Sequence, residues 1–359
     1  MNKKILWPVI IVAVVILIAA GISGNSNKAK DGKFKIGVIL PLSGPVSALG
    51  EAAKDSINLA LSTLSPADKK NIEIVYGDDQ FDPKQTVSVA QKLIDTDSVK
   101  ALIVYSSPSS VAASYIAEKN SIPMIGLGNS TEINTGKQWV MRYMLGPLEQ
   151  AQAIESLLLK GKFTKVALVW NQSDGPKSVH DQLVKILPEQ GYTIVADESV
   201  TKAENDFKTS ILKIKAVKPE VVVAYISPQI GVFGKQAKDL GLNVPIVSGP
   251  PMEQVSQLTV AQGGLDNQLF VGNDNVAFTD AFHAKFNMYP SIAGDYAYDA
   301  LIQFIQAANQ TDKSGTAIMQ SLRKSFTGVS GEYIYNNDGS FNVKQVVKKW
   351  DGSKFVVVR

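Results

Sequence analysis

The chain has 359 residues, of which 45% are hydrophobic, and a formal net charge of +3 from 36 basic and 33 acidic side chains. This length suffices for two domains with cores of their own. The near balance of charge gives no indication of a nucleic-acid partner. The sequence contains no cysteine, which excludes disulfides, zinc–thiolate sites, cysteine nucleophiles and a lipid-modified N-terminal cysteine.

The N-terminus carries a targeting signal. Lys3 and Lys4 precede an uncharged apolar run over residues 5–22, which predicts an apolar helix and export with the lysines on the cytoplasmic side. The run is long enough to remain as a membrane anchor, but it ends in small residues that a signal peptidase accepts. Both outcomes stay open, and residues 23–33 are predicted to form a polar tether.

From Phe34 onward, short apolar runs alternate with longer amphipathic ones, and the order predicted up to residue 127 is βαβαβαβ. Such alternation is typical of a parallel sheet with helices on both faces. Asp82 before Pro83 predicts a helix start, because an aspartate caps the free N–H groups and a proline fits the first helical turn.

The same alternation restarts after Pro147 and continues to about residue 249. Residues 293–310 predict a long helix, and residues 331–359 predict antiparallel strands joined by Asn-Asp-Gly and Asp-Gly turns. The fold class predicted is therefore α/β, with two Rossmann-like, doubly wound lobes and a cleft between them.

Two polar loops follow neighbouring strands of the first predicted sheet. Residues 103–113 read IVYSSPSSVAA, and residues 126–132 read GLGNSTE. In open parallel sheets, ligands bind beyond the carboxyl ends of the strands, where backbone amides and helix N-termini are exposed. Hydroxyls and amides in these loops are suited to bind a carboxylate, but serines at such positions also cap helices. Both interpretations stay open from the pattern alone.

Other polar clusters indicate no chemistry. The acidic run at Asp78, Asp79 and Asp82 lacks the ligand spacing of a calcium loop and is better explained as a strand end with a helix cap. The two histidines, His180 and His283, lie in separate helical patterns, so no metal site is predicted. The sequence has no P-loop lysine, nucleophile elbow or dinucleotide fingerprint, and we expect neither an enzyme nor a bound cofactor.

Several segments carry a family resemblance: residues 35–61, 74–94, the serine loop and residues 165–175. In order and spacing they resemble the solute-binding proteins of the type I periplasmic-binding fold, in particular the leucine–isoleucine–valine-binding group that serves ABC importers. The resemblance implies two lobes joined by three crossovers that close over a ligand. On that analogy residues 1–32 precede the fold, lobe 1 comprises 33–146 plus 275–327, and lobe 2 comprises 147–274 plus 328–359.

The resemblance also implies which residues of the first lobe contact a ligand. A serine that binds the ligand carboxylate falls on Ser107, and the adjacent loop that binds carboxylate and ammonium falls on Gly128, Asn129 and Ser130. An aromatic position of the first loop falls on Leu49. Two further residues are expected on the same wall: Tyr105 and Ser106.

The second lobe departs from the family pattern. Asp174 and Gly175 stand where relatives have a tyrosine, and another tyrosine position falls on or next to Tyr225 and Ile226. The acid that neutralises the ligand ammonium aligns with Pro251, and the nearest carboxylate is Glu253. Either Asp174 or Glu253 pairs with the ligand ammonium in place of the missing acid, or the ligand has no ammonium group. An amide, a urea-like compound or an organic acid would be such a ligand.

The resemblance implies an exported solute-binding receptor that binds an amino acid. A branched-chain amino acid is the first expectation. It would act with permease and ATPase subunits encoded by other chains. If the N-terminal segment is retained, the protein is held at the extracytoplasmic face of the membrane. If it is cleaved, the protein is periplasmic or extracellular. The alternative is a ligand-sensing ectodomain that acts through a partner.

Overall fold

Five parallel strands form the first sheet, in the order β2-β1-β3-β4-β5. The structure, a computed structural model, describes residues 32–358. Strand β3 reads ALIVY and is buried along its whole length, as expected where helices cover both faces of a sheet. The strands are β1 (Phe34–Leu40), β2 (Ile72–Asp78), β3 (Ala101–Tyr105), β4 (Met124–Leu127) and β5 (Val140–Arg142).

Helices cover the first sheet on both faces. Because side chains alternate along a strand, Ile103 points into one apolar core and Val104 into the core on the opposite face. The helices of this region are α1 (Ser47–Thr63), α2 (Pro66–Asn71), α3 (Pro83–Asp95) and α4 (Ser107–Asn120), joined later in the chain by α11 (Gly294–Gln310) and α12 (Gly315–Leu322). Asp82 accepts a hydrogen bond from the Lys84 N–H at 2.9 Å, so the predicted helix start is confirmed.

The second sheet has seven strands in the order β15-β14-β10-β9-β8-β6-β7. The five strands from β6 to β10 pair in parallel, and the last two are antiparallel additions at one edge. These strands are β6 (Lys165–Asn171), β7 (Thr193–Val200), β8 (Val221–Tyr225), β9 (Ile246–Ser248), β10 (Leu269–Asn273), β14 (Gln345–Trp350) and β15 (Phe355–Val358).

Helices pack on both faces of the second sheet and form two further cores. They are α5 (Pro147–Lys160), α6 (Asp174–Glu189), α7 (Lys208–Ala216), α8 (Ile230–Asp239) and α9 (Val255–Val260). Helix α10 (Val276–Phe286) buries Phe278 and Phe282 against Leu59 of α1. The predicted fold class, two α/β lobes with doubly wound sheets, is confirmed.

A small antiparallel sheet of β11 (Phe326–Gly328), β12 (Gly331–Tyr335) and β13 (Phe341–Val343) completes the first lobe. Tyr333 and Phe341 are fully buried in the first core. Phe341 meets the ring of Tyr143 edge-on with centroids 5.0 Å apart. The lobe boundaries stay a prediction. This packing favours a last passage of the chain from lobe 1 to lobe 2 near residue 344, and not between residues 327 and 328.

The chain passes between the two large sheets at three places within the described residues: between β5 and α5, between β10 and α11, and between β13 and β14. We call these three segments the hinge. The predicted N-terminal apolar helix lies outside the described residues. Among residues 32–358, no helix has the length and apolarity needed to cross a membrane.

Candidate functional site

The two predicted polar loops lie side by side. Strands β3 and β4 are hydrogen-bonded neighbours, with Tyr105 opposite Leu127 at their carboxyl ends. The Ser106 N–H donates to the Leu127 carbonyl at 3.1 Å. The loop after β3 and the loop after β4 therefore meet at one edge of the first sheet, as their positions in the sequence predicted.

Ser107 is the centre of this loop pair. Its hydroxyl oxygen accepts hydrogen bonds from the N–H of Asn129 at 3.0 Å and the N–H of Ser130 at 3.3 Å. Its own proton is donated to the Asn129 Oδ1 at 2.9 Å. These three hydrogen bonds fix the hydroxyl, which is partly buried at the ends of the two strands.

Gly128 makes the close approach of the two loops possible. A Cβ atom at this position would lie 2.6 Å from the Ser107 Cα and 2.7 Å from the Ser107 nitrogen and Oγ. Because the nearest atoms are backbone, no side-chain rotation relieves such a clash. The bare backbone at Gly128 is therefore a requirement of the loop contact.

The remaining serines of the loop differ in what their hydroxyls contact. Ser106 caps α4, because its hydroxyl accepts from the Ser109 N–H at 3.4 Å. Ser110 donates to the Val104 carbonyl at 2.8 Å. Ser109 is fully buried and its hydroxyl has no hydrogen-bond partner among the described residues. Among the serines of this loop, and within the described residues, Ser107 alone is hydrogen-bonded to the neighbouring loop through its side chain.

Residues 290–293, from a distant part of the chain, lie beside Tyr105 and Leu49. The Tyr105 hydroxyl donates to the Ile292 carbonyl at 2.9 Å, and the Ser291 hydroxyl lies 3.3 Å from the Leu49 carbonyl. Burial raises the pKa of Tyr105 to about 12, so it stays a neutral donor. Residues 290–293 were missed at the sequence level, because no local pattern indicates that they lie beside Leu49 and Tyr105.

The second lobe approaches the serine loop through the start of α6. A Cβ atom at Gly175 would lie 3.9 Å from the Asn129 Nδ2, so this helix start faces Asn129 across the cleft. The neighbouring Asp174 side chain is 76% exposed, and its carboxylate lies 3.9 Å from the Lys202 Nζ. Asp174 is therefore at the cleft, solvated and only weakly paired.

Tyr225 and Ile226 point to opposite faces of the second sheet. Ile226 is fully buried in the core formed with α8. The Tyr225 hydroxyl donates to the Gln150 Oε1, and its ring lies 3.0 Å from the place a Cβ would take at Gly249. Burial raises the pKa of Tyr225, and the Glu253 carboxylate adds to the effect.

Glu253 is already neutralised. Its carboxylate forms an ion pair with Lys348, whose side chain is 1% exposed against 17% for Glu253. Lys348 also donates to the Asn275 Oδ1 at 2.8 Å. Burial raises the pKa of Glu253, and the attraction of Lys348 opposes that rise. A ligand ammonium would have to compete with Lys348 for this carboxylate.

The Glu253–Lys348 pair continues into a polar network at the hinge. The Asp295 Oδ2 accepts from the side-chain amides of Asn273 and Asn275, both at 2.8 Å. The Tyr296 hydroxyl donates to the Asn273 Oδ1 at 3.0 Å. These groups come from β10, the start of α11 and β14, so one network of hydrogen bonds ties together two of the three crossings.

Trp170 lies at the end of β6 but is held by its own lobe. Its indole N–H donates to the Asp197 carboxylate at 2.9 Å, and its ring stacks on His180 with centroids 4.1 Å apart. His283 stacks on Tyr289. In the part of the chain that the structure describes, no three metal-ligating side chains cluster together.

Comparison with known proteins gives a consistent result. Residues 33–354 match the sequence profile of the family described as periplasmic binding protein. The Leu/Ile/Val-binding protein homolog 3 of Brucella melitensis biotype 1 is 26% identical, and the match covers 89% of this chain and 92% of that protein.

Solved structures share the fold. The branched-chain amino acid transporter substrate binding protein LivJ of Streptococcus pneumoniae, in complex with isoleucine, is 25% identical, with a TM-score of 0.79 over 91% of this chain and 99% of that one. A solute binding protein of an ABC transporter from R. palustris, in complex with benzoate, is 19% identical, with a TM-score of 0.79 over 91% of this chain and 96% of that one.

Proposed function

The chain belongs to the periplasmic binding protein family, and from that premise we propose that it is the solute-binding receptor of an ABC importer whose permease and ATPase are separate chains. Members of this family bind solutes without catalysing a reaction, and family membership implies an extracytoplasmic location. The N-terminal residues 1–32 are proposed to direct export and either to tether the receptor or to be removed.

The observation that carries the proposal is the Ser107 hydroxyl at the junction of two strand-end loops. It is fixed by the N–H groups of Asn129 and Ser130 and faces the start of α6 across the cleft through Asn129. A ligand held at this place contacts both lobes and so stabilises the closed form over the open one. A carboxylate is the group that such a fixed hydroxyl donor binds best.

We propose an amino acid as the ligand, a branched-chain one first, because several relatives are named for leucine, isoleucine and valine. Asp174 is the carboxylate at the cleft that is free to pair with an ammonium, since its contact with Lys202 is long and exposed. Pairing with Glu253 would require the ligand to displace a buried lysine.

An organic acid without an ammonium is the second candidate. It is favoured by the ion pair that occupies Glu253, and the benzoate complex shows that a protein of this fold accepts such a ligand. The two candidates share the carboxylate site at Ser107 and differ only in what the second lobe contributes.

A thermal-shift screen of the full-length chain against branched-chain amino acids, amides, urea-like compounds and aromatic and aliphatic acids tests the proposal. A ligand at about 100 times its Kd stabilises the native state by roughly 2.7 kcal/mol, which moves the midpoint by several degrees. Shifts with isoleucine or leucine support the first candidate, and shifts with acids alone support the second. No shift with any carboxylate would contradict a carboxylate receptor.

Ser107→Ala is expected to weaken binding of the ligand so identified by at least several-fold, as measured by calorimetry, because one charge-assisted hydrogen bond is lost. The matched control is Ser109→Ala in the same helix turn. The Ser109 hydroxyl is buried and has no hydrogen-bond partner within residues 32–358, so its removal should leave affinity unchanged and stability equal or higher. Equal affinities for both variants would remove Ser107 from the site.

A further inference from the structure

The hydroxyl of Ser107 has a single proton to give. A serine hydroxyl donates one hydrogen bond and accepts up to two. Both acceptor positions are filled by the N–H groups of Asn129 and Ser130, at 3.0 and 3.3 Å. The one proton is directed at the Asn129 Oδ1, at 2.9 Å. The hydrogen-bonding capacity of this hydroxyl is therefore complete without any ligand.

A ligand carboxylate needs that same proton. Carboxylate oxygens only accept hydrogen bonds, and the Ser107 oxygen has no further donor to offer. The Asn129 Oδ1, an uncharged oxygen on a planar carboxamide, resembles one carboxylate oxygen in the place where the carboxylate would bind. Ligand and side chain are then alternatives at one donor.

We propose that the Asn129 carboxamide is a built-in competitor of the ligand carboxylate, which occupies the Ser107 hydroxyl in the empty receptor and must rotate away when the ligand binds. The inference rests on the proposed function, since it requires a carboxylate at Ser107. It assigns to the Asn129 side chain a role that sets affinity, separate from its backbone N–H, which holds the Ser107 oxygen in both states.

The geometry around Asn129 leaves room for such a rotation. Asn129 is only partly buried. Across the cleft it faces Gly175, where the side chain is a hydrogen, and a Cβ there would lie 3.9 Å from the Asn129 Nδ2 and 4.0 Å from its Oδ1. Within the part of the chain that the structure describes, Ser173 makes no side-chain hydrogen bond to the start of α6.

If the Asn129 side chain competes with the ligand, Asn129→Ala should lower the Kd. If it contacts the ligand directly, the same variant should raise the Kd. Loss of a competitor should tighten the binding of a carboxylate, and we expect a Kd lower by about three- to tenfold. Loss of a ligand contact would raise the Kd. Asn129→Asp keeps an acceptor for Ser107 and adds a negative charge beside the ligand carboxylate, so it should raise the Kd by at least tenfold.

The experiment is isothermal titration of the full-length wild type, Asn129→Ala and Asn129→Asp with L-isoleucine and with benzoate, at one pH and ionic strength. Asn129→Ser is the second variant if the alanine form unfolds, because its hydroxyl stays polar but is one bond shorter than the carboxamide and does not reach the position of the Oδ1. Asn120→Ala is the control, since Asn120 lies at the opposite end of α4 from Ser107 and its side-chain amide donates to the Ile116 carbonyl at 2.8 Å, so its loss should leave the Kd unchanged.

Tighter binding by Asn129→Ala or Asn129→Ser, with weaker binding by Asn129→Asp, supports the competitor. An unchanged or higher Kd for the alanine and serine variants overturns it, even if the wild type binds well and the proposed function stands. A wild type that binds neither probe nor any other carboxylate of the thermal-shift screen overturns the proposed function and this inference together. In a crystal structure of the liganded protein, the Asn129 Oδ1 should lie beyond hydrogen-bond distance of the Ser107 Oγ.

Discussion

Lys348→Met is expected to lower the free energy of unfolding by about 3–5 kcal/mol at pH 8. The methionine fills a similar volume, but it leaves the Glu253 carboxylate without its cation and the Asn275 Oδ1 without its donor. Asp295 lies in the same network and adds a second negative charge. The measurement is urea unfolding of the wild type and the variant.

The loss should depend on pH with a defined sign. Burial already raises the pKa of Glu253 in the native protein, and removal of Lys348 removes the main opposing effect. Stabilisation from a group whose folded pKa is raised is present at low pH and is lost as the pH rises through that pKa. The deficit of Lys348→Met should therefore shrink as the pH falls, because Glu253 becomes protonated.

Two further variants complete this test. Glu253→Gln combined with Lys348→Met should recover most of the loss, since replacing both members of a buried pair is often close to neutral. Lys349→Met is the matched control, because the Lys349 ammonium donates to the Asn267 Oδ1 at the surface, and its loss should change stability by less than about 0.5 kcal/mol. If Lys348→Met behaves like Lys349→Met, the ion pair does not stabilise the hinge.

Asp299→Ala should cost about 3 kcal/mol of unfolding free energy. The Asp299 carboxylate accepts from the Val329 N–H at 2.8 Å, the Ser330 N–H at 3.0 Å and the Tyr333 hydroxyl at 2.8 Å. All three donors would lose their acceptor in the interior of the first lobe. Asp299→Asn keeps one acceptor oxygen and the shape, so it should cost less.

The same residue predicts a pH dependence. Burial raises the pKa of Asp299 to about 6, although the three hydrogen bonds act in the opposite direction. Its contribution is fully present below about pH 4, the unfolded pKa of an aspartate, and is lost as the pH rises through about 6. The wild type should lose stability across this interval relative to Asp299→Asn, which has no proton to release.

Asp280→Asn serves as the control for this titration, because Asp280 lies exposed on α10. The difference in unfolding free energy between wild type and Asp299→Asn is measured from pH 4 to pH 7, beside the same difference for Asp280→Asn. Parallel curves for all three proteins would show that Asp299 binds no proton in this range.

The fold and the first half of the site could be predicted because both depend on local pattern. Short continuous apolar runs predict the strands and apolar residues at a period of 3.6 predict the helices, and the carboxyl ends of neighbouring parallel strands meet at one edge. Ser107 and Asn129 are 22 residues apart, yet each stands two residues beyond the end of its own strand, so their meeting follows from the order of the elements.

The second half of the site could not be predicted in the same way. Glu253 and Lys348 are 95 residues apart, and they meet only because β14 pairs antiparallel with β10, with Lys348 opposite Phe270. The register of a late antiparallel strand is set by tertiary packing. The sequence alone therefore left Glu253 without an assigned partner, and its pairing with Lys348 could not be predicted.

The sequence also does not predict which face of a sheet a side chain takes at the end of a strand. Trp170 lies at the end of β6, where its direction cannot be read from the sequence, and packing within its own lobe places it against His180 and Asp197. Likewise, Tyr225 and Ile226 must face opposite sides of a sheet, and only the packing of α5 and α8 decides which side each takes.

The interleaved chain path, in which α11 completes the first lobe and β14 and β15 extend the second sheet, determines how the polypeptide can fold. No N-terminal fragment that ends before Phe326 contains all the strands of either lobe. Contacts of long sequence separation form slowly, so a growing chain stays without a finished lobe until its last residues are available.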